Sequence, residues 1–120
     1  MRILLDTHIL LRALIEPARL SEEGRAALET RDNEVLFSAA SVWEISIKAA
    51  LHRPDFLVSP ETVVEAALTS GFAELPVRSA AALKVASLPQ HHRDPFDRLL
   101  AAQALSLDVP LISRDSIFDQ

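Results

Sequence analysis

Four carboxylates lie at positions where a buried strand ends or a helix begins, and together they could support metal-dependent chemistry. They are Asp6, Glu44, Asp97 and Asp115. Because the chain has no cysteine and no clear set of histidine ligands, these acids would form an oxygen-rich site of the kind that Mg²⁺ or Mn²⁺ prefers. An ion in such a site activates a water molecule and stabilises charge on a phosphoryl group. The residue types therefore favour chemistry on phosphate esters.

The elements that must hold these acids alternate between short apolar strands and helices. Aliphatic runs predict strands at 2–6, 35–37, 72–77 and 109–113. Helix-start and helix-stop residues predict helices at 8–15, 22–31, 39–51, 60–70, 79–88 and 95–107, and a helical turn at 115–118. This alternation indicates one α/β domain over residues 1–120, a three-layer α/β/α sandwich with a short, mostly parallel central sheet.

The predicted topology brings the four acids to one edge of that sheet. Helices in such a fold run antiparallel to the strands, so their N-termini lie at the carboxyl edge. Asp6 ends the first strand, and Glu44 lies in an early turn of the helix after the second. Asp97 lies in the first turn of the helix before the last strand, and Asp115 follows that strand. We expect all four at the edge where open α/β sheets bind ligands.

Asp6 and Glu44 each have a structural alternative. Asp6 could be the N-cap of the next helix, although Thr7 could cap it equally well. A charge that ends a buried strand is costly without a partner, which favours function for Asp6. Glu44 could complete a capping box with Ser41, or pair with Lys48 four residues on. If the helix begins directly after the strand, Glu44 lies beyond its first turn, and both interpretations stay open.

Asp94 and Asp97 divide between a structural and a chemical role. Pro95 at the first helical position makes Asp94 the N-cap and Asp97 the third helical residue. Asp97 shares a helix face with small and apolar residues one and two turns on, which draws it toward the interior edge. We therefore expect Asp97 to be functional and Asp94 structural. Asp115 could act in the site or simply start the final turn.

Basic residues near the same edge are open to two interpretations. They could contact phosphate, or they could balance the neighbouring acids. These residues are Lys48, Arg93, Arg98 and Arg114. His91 and His92 have the character of a polar connecting loop, and no histidine is assigned a role.

Composition excludes several classes of protein. Seventeen acidic residues against twelve basic ones, a net charge of −5, argue against a protein that binds nucleic acid mainly by phosphate neutralisation. The absence of cysteine excludes disulfides and thiol catalysis, and two glycines are too few for a P-loop or a dinucleotide fingerprint. No uncharged run approaches the ~18 residues of a membrane-spanning helix, so we expect a cytoplasmic protein. The 49% hydrophobic content suggests apolar surface for a protein partner.

Four stretches together carry a resemblance to a known family. They are LLDTHILLRAL at 4–14, SAASVWEISIK at 38–48, HRDPFDRLLAAQA at 92–104 and LISRD at 111–115. In this order and spacing the chain resembles the PIN-domain family, and within it the VapC-type toxins of bacterial toxin–antitoxin pairs. The resemblance runs nearly end to end. The chain departs from the family pattern at its end, where members usually continue into a short final strand.

The resemblance implies a metal-dependent endoribonuclease that a cognate antitoxin holds inactive. The family's acids correspond to Asp6, Glu44, Asp97 and the more variable Asp115, and Asp97 is chosen because it heads the pattern DRLLA. By analogy Asp6 and Asp97 hold Mg²⁺, for which Mn²⁺ could substitute, and Glu44 completes the shell or orients the water. Asp115 assists directly or through water. RNA as substrate, an antitoxin as partner and a homodimer are the further expectations.

Three alternatives compete with this interpretation. A phosphatase of the haloacid-dehalogenase type also ends its first strand with Asp, but it would need a second Asp where His8 stands. A response-regulator receiver would need an early acidic pair and a lysine near the last strand, and neither is present. A non-catalytic PIN-like binding module would have lost one or more of the acids, whereas all four positions are acidic.

Overall fold

The computed structural model describes residues 1–51, 58–88, 94–113 and 117–118, the last pair as backbone only. Within them the helices are α1 (Thr7–Ile15), α2 (Glu22–Glu29), α3 (Ala39–Ala50), α4 (Pro60–Thr69), α5 (Ser79–Lys84) and α6 (Pro95–Leu107). Two short 3-10 helices are Pro17–Arg19 and Val85–Ser87. The strands are β1 (Arg2–Leu5), β2 (Glu34–Ser38), β3 (Ala73–Leu75), β4 (Leu111–Ile112) and β5 (Ile117–Phe118).

The strands form one sheet in the order β3-β2-β1-β4-β5. The first four are parallel, and β5 pairs antiparallel with β4 at the edge. In the register of the central strands Leu5 lies opposite Phe37 on one side and Ile112 on the other. The chain builds the sheet outward from β1 toward β3 and then crosses back to place β4 on the other side of β1. A topological switch point therefore lies between β1 and β4.

Alternation along β1 and β2 divides the core into two layers. Ile3, Leu5, Val35 and Phe37 point to one face, where residues of α1, α3 and α4 cover them. Leu4 and the other side chains of the opposite face pack against α6. Because both faces are buried, the central strands are continuously apolar, as parallel strands between two helical layers must be. The predicted three-layer α/β/α fold with a mostly parallel sheet is confirmed.

Local side-chain chemistry starts most of the helices. Ser21, Ser59 and Asp94 each accept a hydrogen bond from an amide in the first turn of α2, α4 and α6, respectively. These caps satisfy amides that have no partner within the helix. Gly71, just past the end of α4, has φ +89°, a left-handed conformation that glycine adopts without steric cost. The predicted boundaries of these helices are therefore close to the observed ones.

Four predicted elements differ from the structure, and one of them is the strand expected at 72–77, which is only Ala73–Leu75. The helical turn expected at 115–118 is wrong at its end, and so is the expected departure from the family's short final strand, because Ile117–Phe118 is a strand hydrogen-bonded to β4. The strand expected at 109–113 is only Leu111–Ile112, and the helix expected at 79–88 ends at Lys84 and continues as 3-10 helix. None of the helices that the structure describes is long and apolar enough to cross a membrane.

Candidate active site

Asp6 is the residue at which β1 ends and α1 begins. Its Oδ1 accepts a hydrogen bond of 2.8 Å from the Ile9 amide, so Asp6 is the N-cap of α1. Its own amide donates to the Ile112 carbonyl of β4 at 2.9 Å, and the residue is only 8% exposed. These bonds hold Asp6 at the switch point between β1 and β4, where open α/β sheets bind ligands. The capping role is confirmed, and it fixes the carboxylate at the expected position.

Glu44 lies in the second turn of α3, which follows β2 directly. Ser38 caps this helix by accepting a hydrogen bond of 2.9 Å from the Ala40 amide, so the capping box between Ser41 and Glu44 is wrong. Glu44 is 4% exposed, and its Oε2 lies 3.0 Å from Lys48 Nζ, which confirms the predicted ion pair. Its Oε1 is buried and has no hydrogen-bond donor among the residues that the structure describes. One oxygen of Glu44 is thus paired, and the other has no described protein donor.

Asp94 and Asp97 stand at the start of α6 in different environments. Asp94 Oδ1 accepts a hydrogen bond of 2.8 Å from the Phe96 amide, and the residue is exposed. Asp97 lies in the first helical turn and is half-buried. Leu100, one turn further, is fully buried in the core layer beneath α6. The structural role of Asp94 is confirmed, while the chemical role of Asp97 stays a prediction.

Two side-chain contacts join the starts of α1, α3 and α6. The Thr7 hydroxyl donates a buried hydrogen bond of 2.9 Å to Ser41 Oγ. The rings of Trp43 and Phe96 meet edge to face, with centroids 5.1 Å apart. Thr7, Trp43 and Phe96 are the sequence neighbours of Asp6, Glu44 and Asp97, respectively. Ser41 lies one helical turn before Glu44. The structure therefore brings together the three helix starts that carry the predicted acids.

Across residues 1–51, 58–88 and 94–113, no three Asp, Glu or His side chains are arranged so that they could hold a metal ion. Of the basic residues predicted near this edge, Lys48 balances a neighbouring acid, because it pairs with Glu44 on the same helix. The fourth predicted acid, Asp115, lies outside the described residues, and so do Arg93, Arg114, His91 and His92.

Arg98 has a structural role that the sequence left open. Its guanidinium Nη2 donates a hydrogen bond of 2.7 Å to the Val85 carbonyl, in the 3-10 helix after α5. This bond ties the first turn of α6 to the end of the preceding helical segment. Val85 is therefore one partner of Arg98, and contact of Arg98 with phosphate stays an untested alternative.

Gln103 is a buried residue that the sequence analysis did not single out. Its Oε1 accepts a hydrogen bond from the Ser38 hydroxyl at the end of β2, and its Nε2 donates to the Pro76 carbonyl at 3.3 Å. Gln103 is almost fully buried. It therefore seats α6 against the carboxyl ends of two strands. The available signal was an amide within the small-residue stretch LLAAQA, but its partner is 65 residues away.

The sequence matches the model of the PIN domain family over residues 3–120. The chain belongs to the PIN-domain family. A comparison with curated proteins finds no match to the sequence.

Solved structures share this PIN fold at low sequence identity. VapBC2 from Rickettsia felis, in a crystal structure with a DNA fragment from its promoter, aligns with a TM-score of 0.67 and 14% identity. That alignment covers 92% of this chain and 85% of the other. VapBC-1 from nontypeable Haemophilus influenzae aligns with a TM-score of 0.58 and 21% identity, over 92% of this chain and 84% of the other. At these identities the likeness shows the fold.

The residues of this PIN domain fit a hard divalent cation in their chemistry. Carboxylate oxygens are the ligands that Mg²⁺ and Mn²⁺ select, and Asp6 and Glu44 are both buried acids. A buried carboxylate oxygen such as Glu44 Oε1 is costly unless a donor or a cation meets it. The donor set is therefore compatible with the metal that the family resemblance implies.

Proposed function

We propose that this PIN-domain protein is a VapC-type toxin, a Mg²⁺-dependent endoribonuclease that hydrolyses RNA phosphodiester bonds. The observation that carries the proposal is the contact between the starts of α1, α3 and α6, where Asp6, Glu44 and Asp97 lie. Membership of the PIN-domain family supports it, as does the fold shared with two VapBC structures. Mn²⁺ is the expected substitute for Mg²⁺.

The proposed roles follow from where each acid is held. Asp6 and Asp97 hold the ion, which supplies positive charge to the phosphoryl group when bound. Asp6 is suited to this because the Ile9 amide and β4 fix its position before any ligand binds. Glu44, buried on α3, orients the attacking water or completes the shell, and Asp115 assists from beyond β4.

A metal-based mechanism also suits the charge of the chain. With a net charge of −5, the protein has no overall attraction for a polyanion. A divalent ion offsets the negative charge of the carboxylates and presents positive charge to a phosphate at the site. RNA binding should therefore depend on the metal more strongly than in a nuclease with a basic face.

Exposed apolar side chains support the proposed protein partners, an antitoxin and a second copy of the chain. Trp43 on α3 is 60% exposed, and Ile47 and Leu51 follow it at intervals of four residues. Contiguous apolar surface of this kind is uncommon on a protein that acts alone. Co-expression with the product of a neighbouring small reading frame, followed by size-exclusion chromatography, tests for both assemblies.

The decisive experiment measures cleavage of end-labelled RNA by the full-length chain. We expect cleavage with Mg²⁺ or Mn²⁺, none with EDTA, and a loss of about a hundredfold or more in Asp6→Asn and Asp97→Asn. Asparagine also caps helices, so Asp6→Asn removes the charge while it keeps the start of α1. Asp94→Asn is the matched control and should keep full activity. Metal-independent cleavage, or full activity in both site variants, would contradict the proposal.

A further inference from the structure

The ion pair between Glu44 and Lys48 differs from an ordinary surface pair on a helix. An exposed pair four residues apart contributes only a few tenths of a kcal/mol. Here the carboxylate is 4% exposed, and its Oε2 lies 3.0 Å from an ammonium whose side chain is 33% exposed. A carboxylate removed from water needs a partner to remain in place. Lys48 therefore fixes the position of Glu44.

The pair leaves the two oxygens of Glu44 in unequal environments. Oε2 is taken by the ammonium of Lys48, whereas Oε1 is buried and meets no donor in the part of the chain that the structure describes. Lys48 therefore fixes one oxygen and leaves the other to accept a hydrogen bond from a small ligand such as water.

Glu44 also lies on the side of α3 that faces the start of α1. Ser41, Glu44 and Lys48 are three and four residues apart, so they share one face of the helix. Ser41 on that face accepts the hydrogen bond from Thr7, the residue after Asp6. Glu44 is thus beside the start of α1, with one oxygen held by Lys48 and the other without a described donor.

We propose that Lys48 is a positioning residue of the nuclease, which holds Glu44 through Oε2 so that Oε1 orients the attacking water instead of binding the metal. This inference rests on the proposed function. It decides between the two roles that the family resemblance leaves open for Glu44. It also implies that Lys48 lowers the affinity for the metal ion, because its fixed positive charge repels the cation.

The proposal predicts an unusual combination of effects in Lys48→Met. Without the ammonium, Glu44 is released toward the ion and one repelling charge is lost. Mn²⁺ should therefore bind about three- to tenfold more tightly. The attacking water loses its orienting group, so kcat for RNA cleavage should fall by about ten- to a hundredfold, with little change in KM. A merely structural role for Lys48 would not make the metal bind more tightly while the reaction slows.

The experiment measures the Mn²⁺ dissociation constant by isothermal titration calorimetry and the cleavage rate on the full-length chain. Lys48→Arg keeps the charge and should resemble the wild type in both readouts. Lys84 is the only other lysine of the chain, and it is exposed on α5. Lys84→Met is therefore the control for the loss of one positive charge. It should change neither quantity.

The results separate failure of this inference from failure of the proposed function. If the wild type neither binds Mn²⁺ nor cleaves RNA, the proposed function is wrong and the role of Lys48 falls with it. If the wild type does both, but folded Lys48→Met binds Mn²⁺ no more tightly or keeps its kcat, only the role of Lys48 is wrong. Thermal unfolding checks folding. If Lys48→Met does not fold, Lys48→Gln is measured in its place, with tighter Mn²⁺ binding and slower cleavage again expected.

Discussion

Substitution of Asp94 and of Asp97 should separate a structural loss from a chemical one within a single helical turn. Asp94→Ala removes the exposed hydrogen bond of 2.8 Å to the Phe96 amide. An N-cap lost in this way costs about 1 kcal/mol of the free energy of unfolding. Unfolding entropy of about 2.1 cal/mol/K per residue gives roughly 0.25 kcal/mol/K for this chain, so Tm should fall by about 4 °C.

Asp97→Asn should instead lower the activity far more than the stability. The substitution conserves the shape of the side chain and removes its charge near the helix N-terminus, where such a charge contributes a few tenths of a kcal/mol. RNA cleavage with Mg²⁺ should fall by about a hundredfold or more, because one of the two proposed metal ligands is lost. Asp94→Ala should keep its activity below its Tm.

The assays are differential scanning fluorimetry for Tm and cleavage of end-labelled RNA at 25 °C. The cleavage temperature keeps both variants folded, so the two measurements are independent. Inactive Asp94→Ala with a wild-type Tm would refute the division of roles. Active Asp97→Asn would also refute it, since the half-buried acid of the first turn would then have no part in the reaction.

Three further predictions concern stability. Gln103→Leu leaves the buried Ser38 hydroxyl without its acceptor and removes the hydrogen bond to the Pro76 carbonyl, so it should cost about 1–3 kcal/mol in urea unfolding. Exposed Ser106→Ala on the same helix should be near neutral. Leu100→Ala leaves a cavity at a fully buried position and should lower the free energy of unfolding by about 2–5 kcal/mol. Leu83→Ala, at a largely exposed position, should lower it by less than about 0.5 kcal/mol. Equal Tm values for the two variants would contradict the assigned core. A backbone hydrogen bond and, to a lesser extent, a hydrogen bond from the Ser59 hydroxyl hold the pKa of Glu61 below its usual value. The Glu61 carboxylate therefore stabilises the fold above the ordinary Glu pKa, and this contribution is lost as the pH falls through the lowered pKa. Glu61→Gln should therefore be less stable than the wild type at pH 7 in thermal unfolding, and the difference should shrink as the pH falls below the ordinary Glu pKa. A difference that does not shrink would show that the charge is not responsible.

The features that the sequence predicts well depend on local chemistry. Caps at Ser21, Ser59 and Asp94 are set by residues within three positions of the helix start, so their helices begin as expected. Alternation of strands and helices fixes the parallel sheet, and with it the edge to which Asp6 and Asp97 are brought. The ion pair between Glu44 and Lys48 was also among the predicted alternatives, because the two residues are only one helical turn apart.

The features that the sequence does not predict depend on distant partners. β5 was expected to be helical, and it is a strand only because it pairs with β4. The Val85 partner of Arg98 and the Ser38 partner of Gln103 each belong to a different element, so neither contact could be predicted from the sequence. Propensity and spacing carry no record of such pairings, since tertiary contacts override local preference.

The contact between Trp43 and Phe96 gives the molecule a built-in optical probe. Trp43 is the only tryptophan, and the chain has no tyrosine, so emission excited at 295 nm comes from this one ring. The ring belongs to α3, and its edge-to-face neighbour belongs to α6. Any ligand that changes the spacing of these two helices should shift the emission of the unlabelled protein. Titrations with metal, RNA or antitoxin can therefore be followed in real time without altering a residue.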